Sequence, residues 1–268
     1  MTADLLALAV RLAGQAGDLL LAGVGERRRD VATKTSGTDM VTDMDRAAEA
    51  LIVQGIRAAR PHDAILGEEG ADRAGTSGVR WVIDPLDGTT NYLYGHPSYA
   101  VSVAAEVDGD GLVGVVVDPS HGEVFAATAG GGATCNGRPI TTSGACDLSL
   151  SLVGTGFSYL ADVRARQALV LTHILPAVRD IRRNGAASLD LCWVACGRLD
   201  AYYEVSLQPW DVAAGLLIAR EAGAFTAGVN GGPPSAASVL AASPALEGPL
   251  TALMAEAEAE AAGPRAVA

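Results

Sequence analysis

The stretch WVIDPLDGTTNY, residues 81–92, decides how the rest of the chain is read. Trp81, Val82 and Ile83 make a buried strand, and two aspartates three positions apart follow it. The end of such a strand is where layered proteins open a cleft. Pro85 fixes φ and gives the turn between Asp84 and Asp87 a rigid corner. Gly88 admits a backbone conformation closed to other residues. Thr89, Thr90 and Asn91 then open a helix, whose first N–H groups suit a phosphate. Two carboxylates beside an anion site would repel a phosphate, and divalent cations resolve that conflict. Carboxylate, carbonyl and water oxygens are hard ligands that favour Mg²⁺ or Mn²⁺.

Taken alone, D-x-x-D-G-T also fits a solvated acidic turn. Other acidic residues argue for more. Glu68 and Glu69 stand in LGEEG, at the end of a second strand; Asp39 and Asp45 lie in TDMVTDMD; Asp211 follows Trp210 in QPWDVAAG, at a helix start. Each has an ordinary reading by itself: a Glu-Glu pair as surface, an aspartate at a helix start as an N-cap. Together they suggest a hard-cation cage. Histidines 62, 96, 121 and 173 show no ligand spacing, which argues against zinc. The four cysteines form no C-x-x-C pair, and Cys192 and Cys196 read as small core residues.

Composition narrows the function classes. The 268 residues are 49% hydrophobic, enough for a large core, and only 4% aromatic. The net charge of −12 and the lack of a basic tract argue against nucleic acid or an anionic membrane as a partner. The densest basic run, ERRR at Glu26–Arg29, reads as a solvated helix end or loop. The N-terminal run MTADLLALAVRLAG lacks a basic leader, and Arg11, Gln15 and Asp18 interrupt it, so neither a signal peptide nor a membrane span is expected. A cytoplasmic protein is the expectation.

Leu5, Leu8, Leu12, Ala16, Leu19 and Leu20 recur at helical spacing. A second helix is expected from Asp43 to the stop at Pro61. HDAILGEEG and VRWVIDP read as strands, and residues 99–137 as a run of antiparallel strands with DGDG and SHGE as turns. Beyond Pro139 the pattern alternates: strand SLVGTGF, helix VRARQALVLTHILPAV, a turn into a helix over IRRNGAASLDLCWVACGRL, strand DAYYEV, helix WDVAAGLLIAREAGA, strand ASVLAAS, and an exposed Ala/Glu helix ahead of a disordered PRAVA tail. This order predicts an α+β or layered α/β protein. Two halves, 1–138 and 139–268, meet at a weak boundary within one compact unit, the first carrying most of the cation ligands and the second Asp211.

The segments GTDMVTDMD (37–45), GEEG (67–70), WVIDPLDGTTNYLYGHPSYAVSVA (81–104), NGAASLDLCWVACGRLDAYYE (184–204) and PWDVAAGLLIAREAGA (209–224) resemble the inositol monophosphatase family of Mg²⁺-dependent, lithium-sensitive phosphatases. The resemblance runs from about residue 34 to about residue 224, and D-P-x-D-G-T-x-N paired with W-D-x-A-A-G carries it. It implies a layered αβαβα sandwich of the inositol monophosphatase and fructose bisphosphatase type, usually a homodimer. It also implies roles. Glu68, Asp84 and the Leu86 carbonyl match a first Mg²⁺ site; Asp84, Asp87 and Asp211 match a second; Glu68 touches a weaker third ion in some members. Gly88 and Thr89 match the phosphate-binding backbone, and the helix N-terminus at Gly88–Thr90 would hold the phosphoryl oxygens. Asp45 matches the partner of the Thr89 hydroxyl, so Glu68, Thr89 and Asp45 are the implied catalytic group. Ala187 and Glu204, with Gly185 and Ala186 before them, match the substrate wall, and Lys34 matches a lysine beside the ions. Gly70 and Gln208-Pro209 depart from the usual pattern, which leaves local shape and substrate preference open.

The implied reaction is hydrolysis of a small phosphate monoester, inositol 1-phosphate first, by a metal-activated water. Histidinol phosphate, fructose 1,6-bisphosphate, 3′-phosphoadenosine 5′-phosphate and NADP are the substrates of relatives sharing the metal signatures. Arg182 and Arg183 read as solvated loop cations, with contact to a second anionic group as the alternative. A haloacid dehalogenase-like nucleophile loop fits poorly, because the spacing is D-x-x-D and the motif lies after residue 80. A catalytically inactive metal-binding relative is the non-enzyme alternative.

Overall fold

The computed structural model describes residues 1–24, 31–33 and 40–262. Lys34, Asp39, the ERRR run and the PRAVA tail lie outside the described residues. In chain order the elements are α1 (Thr2–Gly23), β1 (Val31–Thr33), β2 (Met40–Thr42), α2 (Asp43–Ala59), β3 (Ala64–Gly67), β4 (Asp72–Arg73), β5 (Val79–Asp87), α3 (Thr89–Tyr94), β6 (Ala100–Val107), β7 (Asp110–Asp118), β8 (Glu123–Thr128), β9 (Gly132–Cys135) and β10 (Arg138–Pro139). There follow β11 (Leu152–Thr155), α4 (Ala161–Ile174), β12 (Asp180–Arg182), α5 (Ala187–Ala195), β13 (Ala201–Val205), α6 (Pro209–Glu221), β14 (Phe225–Ala227), β15 (Ser238–Ala242) and α7 (Glu247–Ala261).

Eight strands form one sheet in the order β10-β9-β8-β7-β6-β5-β3-β4, and five form a second in the order β12-β11-β13-β15-β14. The large sheet is antiparallel except where β3 runs parallel to β5. Strand alternation assigns its faces. Trp81, Ile83, Val101, Val103, Val113 and Val115 point to α1 and α2. Val82, Ala100, Ala104 and Val116 point the other way, to α5 and α6. The far side of α5 and α6 packs on Tyr202, Val239 and Ala241 of the small sheet. The outer face of the small sheet carries α4 and α7. The result is the layered αβαβα sandwich that the resemblance implies.

Helix α1 has the length and apolarity of a membrane span, but Leu5, Leu8, Leu12, Ala16 and Leu20 are buried against the sheet, as in a core helix. The structure departs from the sequence pattern in three places. The last helix is not simply exposed: Leu250, Met254 and Ala257 bury one face against the small sheet. The three-residue strands β12 and β14 escape periodicity because each is too short to show alternation. Strand β5 continues through the proline corner to Asp87, and its register against β6 slips there, from Asp84↔Ser102 to Asp87↔Ala100. Three steps on one strand oppose two on the other. Pro85 cannot donate to the ladder, so the bulge forms where the carboxylates emerge.

Candidate active site

The β5 bulge turns its own acids into a corner. The Leu86 N–H donates to Asp84 Oδ1 at 2.9 Å, which pins that side chain over the bulge. Asp87 Oδ2 accepts two bonds from α5, the Ser188 N–H at 2.7 Å and the Ser188 hydroxyl at 2.6 Å. Gly88 follows with φ +91, and a Cβ there would meet the Ser98 carbonyl at 2.9 Å and the Gly185 carbonyl at 3.2 Å. Only glycine fits so close an approach. Helix α3 starts at the next residue. The Thr89 hydroxyl, expected to bond to Asp45, instead donates to the Leu86 carbonyl at 3.1 Å.

Two other segments bring carboxylates to this corner. The parallel pairing of β3 with β5 runs one step further, the Glu68 N–H donating to the Ile83 carbonyl at 3.1 Å, and this sets Glu68 beside Asp84. Buried Glu49 of α2 grips the same turn, accepting the Glu69 N–H at 2.8 Å and the Ala71 N–H at 3.1 Å. Asp211 is the third residue of α6 and closes a capping box, its Oδ2 accepting the Gln208 N–H at 2.8 Å. Proline at the first helical position suits that start.

Glu68, Asp84, Leu86, Asp87, Gly88, Thr89 and Asp211 line one cavity of about 730 Å³. Burial, then the charges of Glu68, Asp87 and Asp211, holds the Asp84 carboxyl well above the usual carboxylate range. Burial, then Asp87, does the same to Asp211. Burial pushes Asp87 up to about 6 against the opposing pull of Ser188. Such mutual repulsion, with oxygen donors only, fits a hard divalent cation. Among the described residues no three His, Cys, Asp or Glu side chains already close into a coordination shell. The carboxylates share a cavity, and each aspartate directs one oxygen to a backbone N–H.

The opposite wall comes from the second half of the chain. Gly185, Ala187 and Glu204 line the cavity with the apolar residues Phe157, Leu160 and Trp210. The Tyr202 hydroxyl donates to Glu204 Oε2 at 2.6 Å, and burial pushes the Glu204 carboxyl up to about 7. Among the described residues Arg183 is the one cation on this lining, and its charge draws the Glu204 value down. The two arginines therefore part company: Arg182 is exposed and pairs with Asp180 at 2.6 Å, whereas Arg183 faces the cavity. Three expected residues do not line it. Thr90 stands one residue inside α3. Ala186 turns into the core with Leu189 and Cys192. Asp45 is fully buried in the first turn of α2.

Ser188 and Glu49 escape sequence reasoning because their work is long-range: each reaches backbone or side chains of a distant segment. Glu49 does share a helix face with Asp45, four residues earlier, which is the one local sign of it.

The chain resembles known proteins along most of its length. Residues 1–261 match the profile of the inositol monophosphatase family. An inositol-1-monophosphatase of Mycobacterium leprae is 48% identical over 216 residues, 77% of this chain and 73% of the relative. Nus factor SuhB of Escherichia coli is 41% identical over 230 residues, 85% of this chain and 86% of the relative. The crystal structure of extragenic suppressor protein suhB from Bartonella henselae superposes with a TM-score of 0.90 at 35% identity, covering 94% of this chain and 98% of that one.

Proposed function

The chain belongs to the inositol monophosphatase family, and from that premise we propose that this phosphatase hydrolyses small phosphate monoesters with Mg²⁺, inositol 1-phosphate being the best-fitting substrate. The observation that carries this reading is the meeting of acids 68, 84, 87 and 211, from three separate segments, around one cavity. Glu68, Asp84, the Leu86 carbonyl, Asp87 and Asp211 would hold two divalent ions, Mg²⁺ or Mn²⁺, with a weaker third at Glu68. When bound, such ions neutralise phosphate charge, acidify a water and steady the leaving oxygen.

The chain's own residues do the rest. Glu68, carried on a turn gripped by Glu49, faces the cavity and holds the proton that the attacking water gives up. The Thr89 hydroxyl is held by the Leu86 carbonyl, and the N–H groups of Gly88 and Thr89 would face the phosphoryl oxygens. Ser188 prevents Asp87 from turning away. Glu204 and Arg183 bind the hydroxyls of the alcohol, and Gly185 and Ala187 leave room for its ring.

Release of phosphate from inositol 1-phosphate, histidinol phosphate, fructose 1,6-bisphosphate, 3′-phosphoadenosine 5′-phosphate and NADP, with and without Mg²⁺ and Li⁺, tests the reading. The expected result is Mg²⁺-dependent hydrolysis, highest on inositol 1-phosphate and inhibited by Li⁺ once Mg²⁺ is bound. Undiminished activity in excess chelator would overturn it, and a preference for a bisphosphate would move the substrate. A cytoplasmic homodimer is the matching assembly, to be checked by sedimentation.

The relatives named Nus factor SuhB favour a second reading, in which the fold also serves a larger assembly. With a net charge of −12, this chain suits a protein contact there better than bare nucleic acid. A mobility shift with single-stranded RNA at physiological salt checks the point, and no shift is expected.

A further inference from the structure

The wall and the phosphate corner belong to different layers, so something must hold them at one spacing. Asp190 of α5 is a buried carboxylate, 1% exposed, to which neither the chemistry nor the wall assigns a task. Its Oδ1 accepts the Asn184 side-chain amide at 2.5 Å. The backbone carbonyl of Asn184 in turn accepts the Asn91 side-chain amide at 2.6 Å, and that amide also donates to the Ser98 carbonyl at 2.6 Å. Asn91 belongs to α3, the helix that starts at Thr89. The chain Asp190–Asn184–Asn91 therefore joins α5, the turn before it and α3.

The joined turns have no slack. Gly185 has φ +88, and a Cβ there would lie 3.0 Å from Asn91 Nδ2 and would overlap the Arg183 guanidinium, which folds back over it. Gly88 is equally close to the Gly185 carbonyl, 3.2 Å from where its own Cβ would stand. A small movement of Asn184 would thus carry Arg183 and Gly185 away from Gly88. We propose that Asp190 is a positioning residue: through Asn184 it locks the turn 183–185 onto α3, so that the substrate wall and the phosphate corner keep one mutual geometry. The statement about substrate rests on the phosphatase reading above.

Asp190→Asn keeps an oxygen acceptor of the same shape for Asn184, whereas Asp190→Ala removes it. In Asp190→Ala, amide hydrogen exchange should speed up about tenfold in peptides covering 183–188 and 89–98, and remain unchanged in α1, α2 and β7, while Asp190→Asn stays near wild type. KM for inositol 1-phosphate should rise about tenfold in Asp190→Ala with kcat within a few-fold, and KM for methyl phosphate, which has no ring to meet the wall, should hold. A merely structural role would spread the exchange change over the C-terminal half and lower kcat on both esters in proportion, with KM constant. That result, or unchanged exchange at 183–188, or equal damage from both variants, would overturn the proposal. If the wild-type protein releases phosphate from neither ester, the phosphatase reading falls, and the exchange pattern alone still decides whether Asp190 holds the turn.

Discussion

At the scale of single residues the site is defined by acids that repel one another and by the groups that keep them in place. Asp84 carries the most of this conflict, since Glu68, Asp87 and Asp211 all act on it. Asp84→Asn should lower Mg²⁺-dependent turnover by about 10²–10³-fold, the usual effect of losing one charge-stabilising contact. In chelator the same variant should melt no lower than wild type, because Asn keeps an acceptor for the Leu86 N–H and stays neutral in the buried corner without taking up a proton. Phosphate release and a melting curve decide together; normal turnover would remove Asp84 from the chemistry. Glu49 makes a separate case. Its two oxygens accept two backbone N–H groups of the turn bearing Glu68. Gln supplies only one acceptor, so Glu49→Gln leaves a buried donor unmatched at a cost of about 1–3 kcal/mol. The Mg²⁺ concentration for half-maximal activity should rise about tenfold, with kcat at saturating Mg²⁺ close to wild type. A titration showing an unchanged half-maximum would mean that the turn holds its shape without Glu49.

At the scale of elements, the signature W-D-V-A-A-G has a packing reason as well as a chemical one. Asp211 sits in the first turn of α6, and Gly215 one turn later lies against α5. A Cβ at Gly215 would stand 2.8 Å from Leu191 Cδ1, 2.9 Å from Leu191 Cβ and 3.2 Å from the Ser188 carbonyl. Gly215→Ala should push the two helices apart, with an overpacking loss of about 1–3 kcal/mol. The same motion separates Asp211 from Asp87, so activity should fall further than the melting temperature suggests; thermal unfolding and kcat measured together test this. The small residue at 215 is legible in the sequence, but its partner is not. The same divide runs through the fold. The helical spacing of Leu5, Leu8 and Leu12, the turns of the β6–β9 meander and the Pro85 corner are local patterns, and each can be read from neighbours. Strand β12 exists only because β11 pairs with it. Thr89 was expected to bond to Asp45, yet its hydroxyl donates to the Leu86 carbonyl of its own bulge. Arg183 and Arg182 look alike in the chain, and the turn at Gly185 sends only the first into the cavity.

At the scale of the whole molecule, the buried acids couple stability to pH, and under the proposed function to Mg²⁺ as well. Asp87 rises from 3.8 to about 6 on folding, and Glu204 from 4.5 to about 7. A raised carboxyl keeps its proton in the folded chain after the unfolded chain has lost it. Its stabilising share is complete below the unfolded value and disappears as pH rises through the folded one. For Asp87 that window runs from about 4 to about 6, and for Glu204 from about 4.5 to about 7. Asp84 and Asp211 are shifted in the same direction. In chelator, therefore, the melting temperature should fall between pH 5 and pH 8, by at least about 5 °C, since one pKa unit corresponds to roughly 1.4 kcal/mol. If Mg²⁺ binds as proposed, protons and Mg²⁺ compete for the same oxygens, and added Mg²⁺ should raise the melting temperature little at pH 5 and more strongly at pH 8. The four conditions form one experiment. A chelated protein whose melting temperature stays level or climbs from pH 5 to pH 8 would show that these carboxylates do not carry the repulsion assigned to them. A Mg²⁺ effect of equal size at both pH values would show that the ion binds somewhere other than among them.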